Sequence, residues 1–198
     1  KALQAQINPH FLYNTLDLIN WEAMERDAPE IGELVQMLAR YYKSVLRKGF
    51  DTVSLHHEIE HIVTYVKIQN FRFDGRIHLK VEIPEELMSK KMLKLTLQPI
   101  IENSVSHGIS AEDEGEETIT VRAREEGGDL IIEVQDDGKG MTKEQLETIL
   151  KVDENNSHYA VFNIHDRIRL KYGEGYGLRY ESAIGQGTTV TIRIKTQP

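Results

Sequence analysis

The 198-residue chain has no cysteine, a single tryptophan and no run of apolar residues long enough to span a bilayer. Without cysteine there are no disulfides, thiolate zinc sites, iron–sulfur clusters or cysteine nucleophiles. The opening KALQAQINPHF lacks the charged, apolar and small-residue layout of a secretory signal. Basic residues are in deficit, 24 against 32 acidic, for a net charge of −8. That balance argues against sequence-independent nucleic-acid binding, in which Lys and Arg neutralise phosphates.

What remains is ordinary globular composition, 39% hydrophobic and 28% charged. The length suits one domain or two small ones, with enough chain to bury a core unaided. Residues 1–74 carry 8 basic and 10 acidic side chains, and residues 75–198 carry 16 and 22. Much of the second excess is the run Glu112-Asp113-Glu114-Gly115-Glu116-Glu117, which reads as a solvated loop.

Periodicity divides the chain. Ile7, Phe11, Asn14, Leu18 and Trp21 recur at helical spacing, and Leu12, Leu16, Ile19 and Ala23 form a second stripe beside them. Two adjacent stripes make the wide apolar face of a bundle helix. Asp27-Ala28-Pro29-Glu30 reads as a helix restart with Asp27 as the cap. The next helix carries Ile31, Leu34, Leu38, Tyr41 and Val45 and closes at Arg47-Lys48-Gly49. Ser54 caps a third, with Leu55, Ile59, Ile62 and Val66 on its buried face.

After the turn pair Asp74-Gly75 the pattern changes. Residues 77–83, 118–124, 130–135, 177–182 and 188–194 read as strands, and 97–107, 143–150 and 163–172 as helices. Gly127-Gly128 marks a hairpin. The fold class is therefore α+β: a helical segment, 1–74, followed by a mixed domain, 75–198, of four or five strands and three helices.

Several motifs carry chemistry. His57-Glu58-Ile59-Glu60-His61 matches H-E-x-x-H, which on a helix puts His57 and His61 on one face with Glu58 as a base. Zinc needs a third protein ligand, and Glu82, Glu85 and Glu86 fall in or after a strand. A zinc metalloprotease is thus the minor reading and a solvated helix the main one. Asp136-Asp137-Gly138-Lys139-Gly140-Met141 ends an apolar strand; by itself it is a turn as readily as a ligand loop. In Gln98–Gly108, Glu102, Asn103 and His107 sit on one helix, and adjacent carboxylate and amide oxygens suit a hard ion such as Mg²⁺. The pair Gly185 and Gly187 precedes a strand beginning at Thr188. On the first helix, Gln6, His10, Asn14 and Asp17 make a polar strip, so His10 is expected to be exposed and competent as a nucleophile.

The order NPHFLYN, ENSVSHG, DDGKGM and GQGTTVTI resembles the sensor histidine kinases of two-component systems, of the LytS/YesM type. The resemblance covers nearly the whole chain, including Asn163–Ile168 and Tyr172–Gly177. It implies an N-terminal helical dimerisation and histidine-phosphotransfer domain over 1–74, then a Bergerat-type α/β sandwich that binds ATP (the GHKL fold) over 75–198. It implies autophosphorylation of His10 at the expense of ATP, then transfer to an aspartate of a response-regulator receiver domain. Asn103 would hold Mg²⁺, with Glu102 beside it as general base and His107 also at the nucleotide. Asp136 would recognise the adenine amine, Gly138 and Gly140 would floor the pocket, and Gly185, Gly187 and Thr188 would close the adenine side. Residues 142–159 would be a mobile lid, and Phe73-Asp74-Gly75 the joint on which the domain swings toward His10. The implied assembly is a homodimer with a four-helix bundle.

No direct nucleic-acid partner is expected, and a membrane only through segments outside this chain. A start inside a helix suggests a fragment, the cytoplasmic region of a membrane-anchored bacterial sensor. Two departures from the family pattern stand out: His158 and Ala160 replace a glycine pair before the last helix, and Ser106 stands where lysine is common. His158 and Ala160 motivate one alternative, a degenerate nucleotide-binding scaffold; a second is a non-signalling ATPase of the same fold, against which the helical segment with His10 argues.

Overall fold

The computed structural model describes residues 9–46, 51–108, 115–150 and 159–196. Helix α1 (Pro9–Glu25) and helix α2 (Pro29–Leu46) form an antiparallel hairpin. Leu16, Ala23, Val35 and Met37 are buried in it, and Gly32 lets the helices approach until an added Cβ would meet Asn20 Oδ1 at 3.3 Å. Asp27 does not cap α2. It takes φ 52° and ends α1, with its N–H donating to Met24 O and the Ala28 N–H to Ala23 O. This is the left-handed helix terminus that satisfies the last carbonyls.

Strand β1 (Thr52–Ser54) leads into α3 (Leu55–Asn70), where Ser54 Oγ accepts from the His57 N–H as the sequence indicates. Then come β2 (Ile77–Glu82), a 3-10 turn at Glu85–Leu87, β3 (Lys91–Leu93) and α4 (Gln98–Gly108). Strands β4 (Glu117–Glu126) and β5 (Asp129–Asp136) form a hairpin. Gly127 and Gly128, at φ 62° and 84°, supply the two positive angles that its two-residue turn requires. Helices α5 (Lys143–Thr148) and α6 (Tyr159–Tyr172) precede β6 (Gly177–Ser182) and β7 (Thr188–Lys195).

The main sheet has the order β2-β4-β5-β7-β6; only β2 and β4 run parallel. The other sheet is the short pair β1-β3. Helices α3, α4 and α6 pack on the main sheet. Its other face carries charged ladders such as Arg122 with Glu82 and Arg124 with Glu133. The result is a two-layer α/β sandwich, as expected from the α+β pattern.

One finding cuts across the expected division after residue 74. Leu55, Ile59, Ile62, Val66 and Phe73 belong to the same buried cluster as Ile101, Ile119, Ile132 and Ile192 of the sandwich. Strand β1 is also paired with β3. Residues 51–73 are therefore physically part of the sandwich, and Phe73, 4% exposed, is anchored in it. Period-3.6 patterning shows that a helix has an apolar face but not what that face meets.

Candidate nucleotide site

A cleft of about 230 Å³ opens between α4, α5 and the ends of β5, β6 and β7. Helix α4 contributes Ile100, Asn103 and Ser104 to its wall, and α5 with the residue after it contributes Gln145 and Ile149. Asp136 lies at its base, at the end of β5, 7% exposed. One carboxylate oxygen accepts from Ser104 Oγ at 3.0 Å. The other accepts from the N–H groups of Gly138 and Thr188, each at 3.1 Å. Burial raises the Asp136 carboxyl above its usual range against the pull of these three donors, and the Asp137 charge adds to the rise. A carboxylate fixed this way has lone pairs oriented for one more donor from a ligand.

The two glycine loops are packed backbone to backbone. Gly140 has φ 68°, and a Cβ there would lie 2.0 Å from Ala183 O. Gly187 has φ 73°, and a Cβ there would lie 2.0 Å from Asp136 O. Only glycine fits either position. Gly185 N donates to Lys139 O at 2.8 Å, tying the loops together. Ser182 Oγ donates to Gly187 O at 2.7 Å and accepts from the Met141 N–H at 2.9 Å.

The structure thus brings Asn103, Asp136, Gly140 and Thr188 around one cleft, with Gly138 and Gly187 directly behind Asp136. Gly185 is a turn position with open space beside it. The side chain of His107 lies outside the described residues. Of the expected lid, α5 is held by a reciprocal cap between Thr142 and Gln145, and Ile149 is buried against the cleft; residues 151–158, including His158, lie outside the described residues. Ala160 is exposed in the first turn of α6. Asn103 Nδ2 is buried at the cleft, as is the hydroxyl of Tyr180, toward which the Asn103 side chain is directed. Burial pushes Tyr180 well above the usual phenol range, as does the charge of Asp136.

Sequence reading missed Ser104 and Tyr180. The only signal was indirect: Ser104 follows Asn103 on α4, and alternation along β6 turns Tyr180 toward the helices.

Glu102 points elsewhere. Its Oε1 accepts from Gln98 Nε2 at 2.5 Å, and it faces Tyr41 of α2 and Tyr65 of α3, whose hydroxyls burial pushes up, with its charge adding to the rise. His10 is exposed on α1, with Asn14 Nδ2 3.3 Å from its Nδ1.

The zinc reading of His57-Glu58-Ile59-Glu60-His61 is corrected by the geometry. Glu58, 1% exposed, accepts from the N–H groups of Leu95, Thr96 and Leu97 at 2.7, 2.9 and 3.0 Å. His61 has both ring nitrogens engaged, Nδ1 with Ser44 Oγ and Nε2 with Gln98 Oε1, each at 2.7 Å. Among the described residues no cluster of three His, Asp or Glu side chains is placed to hold a metal ion. The helix is not simply solvated either, since Glu58 and His61 are both buried.

Comparison with known proteins identifies the family. A family profile described as "Histidine kinase" matches residues 1–77, and one described as "Histidine kinase-, DNA gyrase B-, and HSP90-like ATPase" matches residues 89–198. Sensor histidine kinase YesM of Bacillus subtilis is 36% identical over 194 residues, covering 98% of this chain and 33% of YesM. Sensor histidine kinase BtsS of Escherichia coli K12 is 33% identical over 195 residues, with the same coverage. The chain therefore spans about a third of the length of these curated relatives. Among solved structures, the histidine kinase domain from the Erythrobacter litoralis EL346 blue-light activated histidine kinase superposes with TM-score 0.55 at 15% identity, covering 96% of this chain and 94% of that one. The catalytic domain of histidine kinase ThkA gives TM-score 0.56 at 16% identity, covering 76% and 99%. With His10 exposed on α1 and the Asp136 cleft in the sandwich, the chain belongs to the sensor histidine kinases, of the LytS/YesM type, and carries their histidine kinase segment and their ATPase domain.

Proposed function

We propose that this chain binds ATP in the α4–α5 cleft, transfers the γ-phosphoryl group to a ring nitrogen of His10, and passes it to an aspartate of a response-regulator receiver domain. The observation that carries the reading is the cradle at Asp136: three fixed donors, two close-packed glycine loops and Asn103 on the facing helix. Asp136 accepts the adenine amine, and Thr188 closes that side. Asn103 fits Mg²⁺, because it lines the cleft and its amide oxygen is a hard ligand. A bound Mg²⁺ would withdraw charge from the phosphate oxygens.

The ring nitrogen of His10 attacks the γ-phosphorus, and an N–P bond forms as the bond to the β-phosphate oxygen breaks. The electron pair leaves with ADP, and the ring proton goes to Glu102. In the second step the receiver carboxylate attacks the phosphorus, and the N–P electron pair returns to the imidazole. Positioning and electrostatics supply most of the acceleration in such transfers.

The helical segment 1–74 and the nucleotide segment 75–198 differ in chemistry while sharing a core through α3. The moving part is accordingly the α1–α2 hairpin. Phe11, Leu18, Trp21 and Met24 of α1 and Ile31 of α2 are more than half exposed. A second copy of the chain is the proposed cover, giving a four-helix bundle. In the whole protein this region would lie on the cytoplasmic side of a membrane-anchored sensor. Among the described residues no helix is long and apolar enough to cross a membrane.

Incubation with Mg-ATP tests the reading. The expected product is acid-labile phosphoprotein that vanishes in His10→Gln. ATP binding without phosphoprotein would instead establish the scaffold alternative, and ATP hydrolysis persisting in His10→Gln without phosphoprotein the non-signalling ATPase.

A further inference from the structure

A chain of hydrogen bonds links α2 to Glu102 through residues that the proposed chemistry does not use. Gln98, in the first turn of α4, stands one helical turn before Glu102. Its side-chain nitrogen donates to Glu102 Oε1 and also meets the Tyr41 hydroxyl. Its oxygen therefore faces His61 Nε2, at 2.7 Å. An oxygen cannot donate, so Nε2 must carry the imidazole proton. His61 Nδ1 is then an acceptor when the ring is neutral; Ser44 Oγ of α2 lies 2.7 Å from it and 2.8 Å from Tyr41 O, so its one proton is shared between the two. Burial pulls His61 below the usual histidine range, which favours that neutral form. The His61 ring is stacked on Tyr41, centroids 4.5 Å apart and planes within 9°. From His61 through Gln98 to Glu102, each side chain thus has its orientation dictated by the next.

Nothing in packing alone requires this polarity. Leu55, Ile59, Ile62 and Val66 already seat α3 on the sandwich, and an apolar residue at 61 would fill the same space. What the imidazole adds is one directed proton. Without it, the Gln98 amide can turn over and present oxygen to the Glu102 carboxylate, leaving that group repelled rather than held. The donor exists in this tautomer while Ser44 and Tyr41 of α2 are seated on His61. A shift of α2 is therefore felt at the first turns of α4, on the side where the α1–α2 hairpin meets the sandwich.

We propose that His61 is a positioning residue for phosphoryl transfer, acting through Gln98 to hold the Glu102 carboxylate when α2 is seated on α3. This inference rests on the reading of Glu102 as the base that takes the His10 proton. It turns the H-E-x-x-H match into a mechanical link: Glu58 fixes the approach to α4, and His61 sets the orientation of the side chains on its first turns.

The test measures autophosphorylation of the full chain at varied ATP, with ATP binding followed by a fluorescent analogue. His61→Phe keeps the ring, the stacking and the volume but removes the donor. It should lower the rate constant by about tenfold with the ATP KM within about twofold. His61→Gln can supply an N–H near the Nε2 position and should recover most of the loss. In a Glu102→Gln background, His61→Phe should cost nothing further, because the two act on one group. Gln98→Met, similar in shape and without the relay, should repeat the His61→Phe result and decides the matter if that variant fails to fold. Loss of the base reading is distinguishable: Glu102→Gln would then autophosphorylate at the parent rate. The positioning role is overturned if Glu102→Gln is impaired while His61→Phe or Gln98→Met is not. It is also overturned if His61→Phe costs as much in the Glu102→Gln background as in the parent.

Discussion

Asn14 stands one helical turn beyond His10 on α1, its side-chain nitrogen 3.3 Å from Nδ1 of the imidazole. In that arrangement Nδ1 accepts and the ring proton sits on Nε2. Turned over, the amide presents oxygen, holds the proton on Nδ1 and leaves the Nε2 lone pair for phosphorus. Asn14 can therefore hold either tautomer, and only the second makes Nε2 a nucleophile. Asn14→Ala should slow autophosphorylation by about tenfold without changing ATP affinity, whereas Asn14→Asp, which can only accept, should retain or raise the rate. Initial rates of phosphoprotein formation check both.

Glu58 serves the fold. Its carboxylate satisfies three successive N–H groups leading into α4, at a site 1% exposed. Glu58→Ala leaves those donors buried and unpaired, and should destabilise the protein by about 3 kcal/mol or more. Urea unfolding of the two proteins measures the loss. A chelator such as EDTA, added without Mg-ATP, should leave the melting temperature of the parent unchanged.

The two glycines of the last loop should respond differently to the same substitution. Gly185→Ala meets only the strain of φ 75° in open space, about 1 kcal/mol, with nucleotide affinity nearly unchanged. Gly187→Ala would drive a methyl into the carbonyl of Asp136. It should weaken binding of a fluorescent ATP analogue by more than about tenfold, since the carboxylate proposed to read adenine is displaced with its own backbone.

Glu117, at the start of β4, is 1% exposed, and both its carboxylate oxygens are buried without partners among the described residues. Burial pushes its carboxyl up to about 8, helped by the charges of Asp136 and Asp137. Between the ordinary value of 4.5 and about 8 the folded protein keeps a proton that the unfolded chain has released. Its contribution to stability therefore falls as pH rises through that window, by at most about 1.4 kcal/mol per pH unit. Glu117→Gln should flatten the decline between pH 5 and pH 8 and exceed the parent's stability above it, by roughly 2 kcal/mol. Urea unfolding at four pH values across the window gives the comparison.

Much of this was legible in the sequence, for identifiable reasons. Strands β2, β4, β5, β6 and β7 each bury one face, so alternation located them to within a residue or two. The glycines at 140 and 187 were flagged because a tight ligand loop needs backbone that side chains would block. Strands β1 and β3 escaped notice because three residues cannot display a period. The burial of Glu58 and His61 was equally invisible. Charged and imidazole side chains on a helix read as solvated, and their partners lie 17 to 39 residues away, in backbone N–H groups, a serine and a glutamine. The turn at Asp74-Gly75 was correctly placed, but a turn is not a boundary when the helix before it shares a core with the sheet after it.

That shared core has a consequence for how such proteins can be recombined. Exchanging signalling modules at residue 74 would transplant α3 away from the surface it was shaped against, stripping cover from Ile77, Met92 and Ile101. It would also orphan β3 from its partner strand. A junction between α2 and β1 severs none of those contacts, and the donated hairpin must match its host where Tyr41 meets His61, Tyr65 and Gln98, where Ser44 meets His61 and where Lys94 Nζ donates to Val45 O. The unit that chimeras can trade is the α1–α2 hairpin, and compatibility between a sensor module and a foreign ATPase module should be decided by the few side chains at that seam.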